Sequence, residues 1–108
     1  MSEAAWLECI APASGARIGR VRIDDAEAVR AAMARCRAAQ AGWGARSIRE
    51  RLEILARFQG LLVRHGAELA RLLSLECGKP EVEAYLHEVT NTVAILDWLQ
   101  GNAEKELR

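Results

Sequence analysis

The sequence predicts a mainly α-helical fold with an N-terminal β-hairpin, and three observations support this prediction. Near the start, two short segments suited to strands flank a Pro-Ala-Ser-Gly run that is typical of a turn. From Asp24 onward, apolar residues recur at helical spacing. The composition is 51% hydrophobic and 28% charged, as in a globular helical protein. With 108 residues, the chain is one small domain or a piece of one.

The hairpin is predicted over residues 5–23. Its first strand runs from Trp6 to Ile10, its turn is Pro12-Ala13-Ser14-Gly15, and its second strand runs from Arg17 to Ile23. In the second strand, apolar residues alternate with arginines at period two. An isolated two-stranded hairpin is marginally stable in water, so we expect it to need a partner surface.

Four helices are predicted over residues 25–101. Asp24 or Asp25 caps the first helix, and Asp24 as the N-cap completes a capping box with Glu27. This helix is expected to run to about Gln40 and to end near Gly42. Its apolar stripe consists of Val29, Met33 and Cys36.

The remaining three helices are delimited by capping and breaking residues. The second begins at the capping box Ser47-Ile48-Arg49-Glu50 and is expected to close near His65-Gly66. A shorter leucine-rich helix follows and ends at Gly78, and Pro80 suits the first position of the fourth helix. The fourth helix is expected to end near Gly101, and residues 102–108 to form a charged tail with little to bury. These signals place Lys79 at a sharp corner between two helices.

Composition excludes several classes of function and partner. The formal net charge is +0, which argues against a nucleic-acid or anionic-membrane partner. No stretch approaches the ~20 apolar residues of a transmembrane helix. The three cysteines form no Cys-x-x-Cys pair and favour a reducing compartment. Residues 1–6 lack a basic region and a long apolar run, so we expect no signal peptide and a cytoplasmic location.

Several motifs in order resemble one known family. Leu75-Glu76-Cys77-Gly78-Lys79-Pro80 resembles the Glu-Thr-Gly-Lys-Pro signature of the NAD(P)-dependent aldehyde dehydrogenase superfamily. Ala11-Pro12-Ala13-Ser14-Gly15 is similar to its Asn-Pro-Ala-Thr-Gly turn, with Ala11 in place of Asn. Further matching landmarks are Trp43, Arg49-Glu50-Arg51, Glu83-Ala84 and Glu88-Val89. The resemblance extends from about Ala11 to about Trp98 and identifies residues 1–108 as an N-terminal segment, the opening part of the family's α/β fold.

The resemblance also states what the whole enzyme does. In the intact family a Cys thiolate adds to an aldehyde, hydride passes to NAD or NADP, and a Glu-activated water releases the acid. The nucleophile, the base and the dinucleotide turn belong to downstream motifs that residues 1–108 do not contain. We therefore assign no catalytic, cofactor-binding or metal residue to this chain, and we expect it alone to bind no cofactor and to be inactive.

The thiols are the first candidates for chemistry. Cys77 stands where the family has Thr or another small residue before Gly-Lys-Pro, and it is predicted at a helix C-terminus, where the helix dipole disfavours a thiolate. We therefore interpret Cys77 as structural. Cys9 and Cys36 are interpreted as small strand and helix-packing residues.

Other near-matches to functional motifs lack an essential part. Glu68 precedes Leu-Ala-Arg, without the glycines that follow the family's general base, and is expected to face solvent. Gly42-Trp43-Gly44 follows a helix and not a strand, so a helix-ending loop is expected and not a dinucleotide turn. His87-Glu88-Val89-Thr90-Asn91 lacks the second His of a zinc helix. His65 is expected to face the last carbonyls of its helix.

Two readings of the corner and two rivals for the whole chain stay open. Glu76 beside Lys79 fits a capped, salt-bridged corner, or a carboxylate that helps bind a monovalent cation, as in some members of the family.

Two alternatives to a segment of an aldehyde dehydrogenase also stay open. The first is a stand-alone helical interaction module that docks on a partner or an intact homologue. A small enzyme centred on Cys77 is the second rival. The expected partners are a second copy of the chain or the remainder of an aldehyde dehydrogenase, because the helices carry more apolar surface than the hairpin covers.

Overall fold

The structure, a computed structural model, describes residues 5–107, and these form a β-hairpin followed by helices, as predicted. Strand β1 spans Trp6–Ile10 and strand β2 spans Arg17–Arg22. They pair antiparallel, with Trp6 opposite Arg22 and Cys9 opposite Gly19, and the register shifts after Cys9. Strand β2 ends at Arg22, one residue before the predicted end at Ile23. The expectation of no signal peptide rests partly on Met1–Ala4, which lie outside the described residues.

Charged and aromatic side chains hold the two strands of the hairpin together. Glu8 forms an ion pair with Arg17 on the facing strand. The guanidinium carbon of Arg20 lies 4.3 Å from the centre of the Trp6 ring, which is within the range of a cation–π contact. Both contacts are exposed, so they set the register of the strands more than they add to stability.

Helix α1 spans Ala26–Ala45 and is longer than predicted. Asp25 is its N-cap, and its carboxylate accepts a hydrogen bond from the Ala28 N–H at 2.8 Å. Asp24 binds Arg22 instead, so the alternative capping box with Glu27 does not form. The predicted stop near Gly42 is wrong, because glycine permits a chain break but does not impose one and the helix continues until Arg46 leaves it.

Helix α2 spans Ile48–Cys77 and merges two predicted helices. Its start is as predicted. The Ser47 hydroxyl accepts from the Glu50 N–H at 3.2 Å, and the Glu50 carboxylate accepts from the Ser47 N–H at 2.8 Å. The stop predicted at His65-Gly66 is wrong. Gly66 lies in the middle of α2 and is buried under the side chains of Tyr85 and Val89.

The last helical rod is continuous but irregular. Helix α3 spans Glu81–Ala84, a π-helical segment spans Tyr85–Thr90, and helix α4 spans Asn91–Glu106. The rod passes the predicted stop at Gly101 and takes up most of the predicted charged tail; Arg108 lies outside the described residues. Ala103 is buried, and Gln100 donates to the Leu52 carbonyl at 3.1 Å, so packing against α2 holds this end helical.

The core lies between α2 and the last rod and is built from small side chains. Gln59 adds a polar tie, since its amide donates to Asp97 at 2.5 Å and to the Val93 carbonyl at 3.2 Å. Within residues 5–107, the buried apolar side chains are Ala11, Leu52, Ala70, Ala84, Val89, Leu96 and Ala103.

Helix α1 stands apart from that core and buries none of its residues. The radius of gyration is 18.2 Å, against about 13 Å for a compact domain of this size. The described part measures 48 × 42 × 19 Å, so it is a flat layer with large faces. Many large apolar side chains on these faces are exposed, including Val63, Val82, Ile95 and Trp98.

Candidate functional site

The corner between α2 and α3 is the best-defined feature of the chain. Gly78 ends α2 with φ +74° and ψ 8°, a left-handed conformation in which glycine has no Cβ clash. Its N–H donates to the Ser74 carbonyl at 2.8 Å, and the Ser74 hydroxyl donates to the Lys79 carbonyl at 2.7 Å. Pro80, with φ −56°, is the N-cap of α3, one place before the first helical position predicted for it. These local interactions bend the chain here, as the sequence predicts.

The hairpin turn packs directly onto this corner. A Cβ placed on Gly78 would lie 3.0 Å from Cγ of Pro12, which is closer than neighbouring atoms normally approach. Ala11, which precedes Pro12 in the turn, is only 1% exposed. The two motifs that most resemble the aldehyde dehydrogenase family, far apart in sequence, thus touch each other. Sequence reasoning missed this contact, since a turn and a helix stop carry no signal about their mutual distance.

An ion pair spans the corner, and its acidic partner is Glu88. Lys79 Nζ lies 2.5 Å from Glu88 Oε1. The prediction of a salt-bridged corner thus holds with a different carboxylate, while Glu76 belongs to no salt bridge among residues 5–107. Within the same residues no group of three or more His, Cys, Asp or Glu is placed to hold a metal ion.

The hydrogen bond between Lys79 and Glu88 shifts both titrations. Donation from the ammonium lowers the pKa of the Glu88 carboxyl, and the charge of Lys79 adds to the effect. The same bond raises the pKa of Lys79. Both groups therefore stay charged over the whole neutral range and keep the pair closed.

Glu88 belongs to the π-helical segment Tyr85–Thr90. A π turn holds more residues than an α turn, and such segments are found often at functional sites. Tyr85 and Val89 in this segment cover Gly66 of α2. The segment thus contributes to the corner on one side and to the core on another. Neither periodicity nor capping residues reveal a π turn in advance.

The three thiols are free cysteines on three different elements of the fold. Cys77 is exposed as the last residue of α2, and Cys9 is half-buried in β1. Cys36 is exposed on α1, so the expectation that it is a helix-packing residue is wrong within residues 5–107. The physical reason is that α1 has no neighbouring element over its apolar stripe.

The histidines and the remaining near-motifs have simple local roles. His65 Nδ1 lies 3.4 Å from Glu68 Oε2 on the exposed side of α2, so the predicted contact with helix-end carbonyls is wrong because the helix continues. Glu68 faces solvent as expected, with 73% of its side chain exposed. Gly42-Trp43-Gly44 is helical and not a loop. His87 is an exposed residue of the π-helical segment.

Two open grooves flank the contact between α2 and the last rod. One, of about 410 Å³, has a mixed polar lining that includes Arg49, Glu53 and Lys105. The other, of about 370 Å³, has a mainly apolar lining and runs along α2 from Phe58 to Glu76. No helix within residues 5–107 has the length and apolarity that crossing a membrane requires.

Comparison with known proteins decides the family. A family model described as the aldehyde dehydrogenase family matches residues 1–108. The chain belongs to the aldehyde dehydrogenase family. The assignment made from the Gly78-Lys79-Pro80 corner and the Pro12–Gly15 turn is therefore confirmed, as an N-terminal segment of that family. No solved structure matches the chain.

Three enzymes illustrate the likeness. The chain is 36% identical over 95 residues to 3-sulfolactaldehyde dehydrogenase of Pseudomonas putida, covering 87% of this aldehyde dehydrogenase chain and 19% of the relative. It is 36% identical over 94 residues to succinate-semialdehyde dehydrogenase [NADP(+)] GabD of Escherichia coli strain K12, with coverage of 87% and 19%. It is 38% identical over 90 residues to malonate-semialdehyde dehydrogenase 2 of Geobacillus thermodenitrificans, with coverage of 83% and 18%. The chain thus spans 19% of the length of the first two relatives.

Proposed function

We propose that this chain is the corner-and-hairpin part of an NAD(P)-dependent enzyme that oxidises an aldehyde to a carboxylic acid. The contact between Pro12 and Gly78 carries the proposal, because it joins the two family-like motifs into one unit. This unit fixes the angle between α2 and the last rod. Its role is to frame the domain that binds the cofactor, while the reacting groups come from other parts of the enzyme.

The names of the relatives suggest the class of substrate. They act, by name, on 3-sulfolactaldehyde, succinate semialdehyde and malonate semialdehyde, all of which are short aldehydes that carry an acidic group. We therefore propose a short anionic aldehyde as the substrate of the whole enzyme, and NAD or NADP as its oxidant. The chain itself supplies no residue to that chemistry. We also propose a cytoplasmic location, since Cys9, Cys36 and Cys77 are free thiols.

A chimera tests this function. Residues 1–108 of this chain replace the matching segment of the Escherichia coli relative, and oxidation of succinate semialdehyde is measured by formation of NADPH. We expect an active chimera, because the corner and the turn are predicted to frame the host's cofactor domain. Cys77→Ser should leave the chimera active, whereas Gly78→Val should strongly reduce activity by opening the corner.

The chimera also has an outcome that contradicts the proposal. A chimera that folds to the host's oligomeric state but shows no oxidation would mean that this chain does not frame the site. The alternative, a stand-alone module that docks on an intact homologue, gains support from the exposed apolar faces of the layer. It predicts that the unmodified 108-residue chain binds the intact Escherichia coli enzyme in sedimentation experiments.

A further inference from the structure

The buried face of α2 has a regular spacing. Its positions recur in alternating steps of three and four residues, which is the spacing of one continuous helix face against a neighbouring helix. Other buried or half-buried residues, such as Ile54 and Ala70, lie beside these positions. The buried or half-buried positions that keep the spacing are Leu52, Leu55, Gln59, Leu62, Gly66, Leu69 and Leu73. The first, third and fifth of these contact the last rod, so this face is the one that packs on it.

The last rod keeps the same spacing over its second part. An α-helix turns about 100° per residue, so seven residues return to within about 20° of the starting direction. Steps of three and four residues in turn therefore hold to one face of the rod. The buried or half-buried residues that follow these steps are Val89, Thr92, Leu96, Leu99 and Ala103.

Ala84 departs from this spacing. It is 0% exposed, although it precedes Val89 by five residues and not by four. Tyr85, four residues before Val89, reaches Gly66 with its ring but stays 41% exposed, and Val82, seven residues before, is 65% exposed. In a continuous α-helix five residues turn about 500°, so Ala84 and Val89 would point about 140° apart. They would then not both face α2, as they do here.

The π-helical segment Tyr85–Thr90 begins directly after Ala84. Because π-helical hydrogen bonds join residues five apart, such residues lie nearly one above the other, as residues four apart do in an α-helix. The α geometry resumes at Asn91, whose N–H donates to the Glu88 carbonyl, and the Thr92 hydroxyl donates to the same carbonyl at 2.6 Å. The irregular turn is thus confined to the part of the rod where the spacing of buried residues departs from three and four.

We infer that the last rod has one residue more than an α-helix needs to pack on α2, and that the π-helical segment absorbs this residue. The segment is a conformational device that turns the first part of the rod back toward α2, so that Ala84 beside the corner and Val89 are buried on one face. The extra residue lies among residues 85–88, all of which are exposed. The inference concerns packing within one chain and does not depend on the enzyme function proposed above.

Single-residue deletions in the full 108-residue chain test this inference. Deletion of His87 leaves Ala84 and Val89 four residues apart, which is the α-helical step, so the midpoint of urea unfolding should stay the same or rise. Deletion of Ala94 is the matched control, because this residue is also exposed but lies in the regular part of the rod. It turns the two parts of the buried face about 100° out of line with each other, so the midpoint should fall.

Nuclear magnetic resonance couplings across hydrogen bonds report the geometry of the turn directly. In the unmodified chain, amides of the π-helical segment should couple to carbonyl carbons five residues earlier. After deletion of His87 they should couple to carbonyl carbons four residues earlier. Deletion of Leu86, which is 55% exposed, should give the same result, because either residue between Ala84 and Val89 can be the extra one.

Three outcomes of the deletions would overturn the inference. They are a lower midpoint after deletion of His87, an unchanged midpoint after deletion of Ala94, and five-residue hydrogen bonds that persist without His87. A Tyr85→Ala variant that becomes α-helical at full length would overturn it as well, because the ring on Gly66 would then cause the π turn. Urea unfolding reports on packing and the chimera reports on aldehyde oxidation, so failure of one leaves the other standing.

Discussion

Gly66 of α2 lies directly beneath the ring of Tyr85. A Cβ on Gly66 would come within 3.1 Å of Tyr85 Cε2 and within 3.1 Å of Val89 Cγ1. This close approach explains why a glycine sits in the middle of a 30-residue helix without ending it. A Cβ at this position would require the side chains of Tyr85 and Val89 to move by a few tenths of an ångström, so the glycine permits their close packing on α2.

The first prediction compares two helical glycines. A Cβ placed on Gly60 would meet no atom within 4 Å, so Gly60→Ala should raise the free energy of unfolding by about 0.5–1 kcal/mol through helix propensity alone. Gly66→Ala should lower it by about 1 kcal/mol, because overpacking costs more than propensity returns. Urea unfolding followed by circular dichroism measures both. Equal stabilisation by the two substitutions would show that Tyr85 and Val89 do not press on Gly66.

The second prediction concerns the corner. Gly78→Ala should destabilise the chain by about 1–2 kcal/mol from the left-handed backbone and by about 1 kcal/mol more from the contact with Pro12. In a Pro12→Ala background the second contribution should vanish, since Pro12 Cγ is the atom that a Cβ on Gly78 would strike. A double-mutant cycle of urea midpoints gives this coupling. Additive effects would place the hairpin turn away from the corner.

The third prediction follows from the pKa shifts of the ion pair. The folded pKa of Glu88 lies below its ordinary 4.5, so the stabilisation it provides is present above that value and is lost as pH falls through the folded pKa. The folded pKa of Lys79 lies above its ordinary 10.5, so its share is present below that value and is lost as pH rises through the folded pKa.

The pair is therefore closed from weakly acidic to weakly basic pH. Melting temperatures of the unmodified chain and of Glu88→Gln, measured against pH, should differ in the neutral range and converge in acid. Glu104→Gln, on the same rod but outside any salt bridge in residues 5–107, is the control and should follow the unmodified chain in the neutral range as well as in acid. A gap between Glu88→Gln and the unmodified chain that persists in acid would show that Glu88 acts through packing and not through its charge.

The fourth prediction concerns chemistry. The 108-residue chain alone should neither oxidise short aliphatic or aromatic aldehydes nor bind NAD or NADP, because it has no strand-turn-helix with a glycine-rich phosphate turn. Formation of NAD(P)H and calorimetric titration are the measurements. Turnover that Cys77→Ser abolishes would promote the rival of a small enzyme centred on Cys77, and saturable micromolar binding of either nucleotide would reveal a site on this chain.

Local signals in the sequence determined the hairpin, the start of two helices and the corner. Trp6–Ile10, the Ser47 capping box and the Gly78-Lys79-Pro80 corner all appear where the residues predict them. Each depends on interactions between residues a few positions apart, namely strand alternation, hydrogen bonds to free backbone N–H groups and a glycine at positive φ. Such interactions, like the family resemblance, can be predicted from the order of the residues alone.

Tertiary structure decided which helices continue and which groups meet. Gly66 and Gly101 looked like stops, but packing of Tyr85 on one and the contact of Gln100 with α2 beside the other keep the chain helical. Glu88 of the π-helical segment pairs with Lys79, although Glu76 is nearer to Lys79 in sequence. A glycine only removes a side chain, and the free energy that decides between break and continuation comes from the neighbour that fills the space.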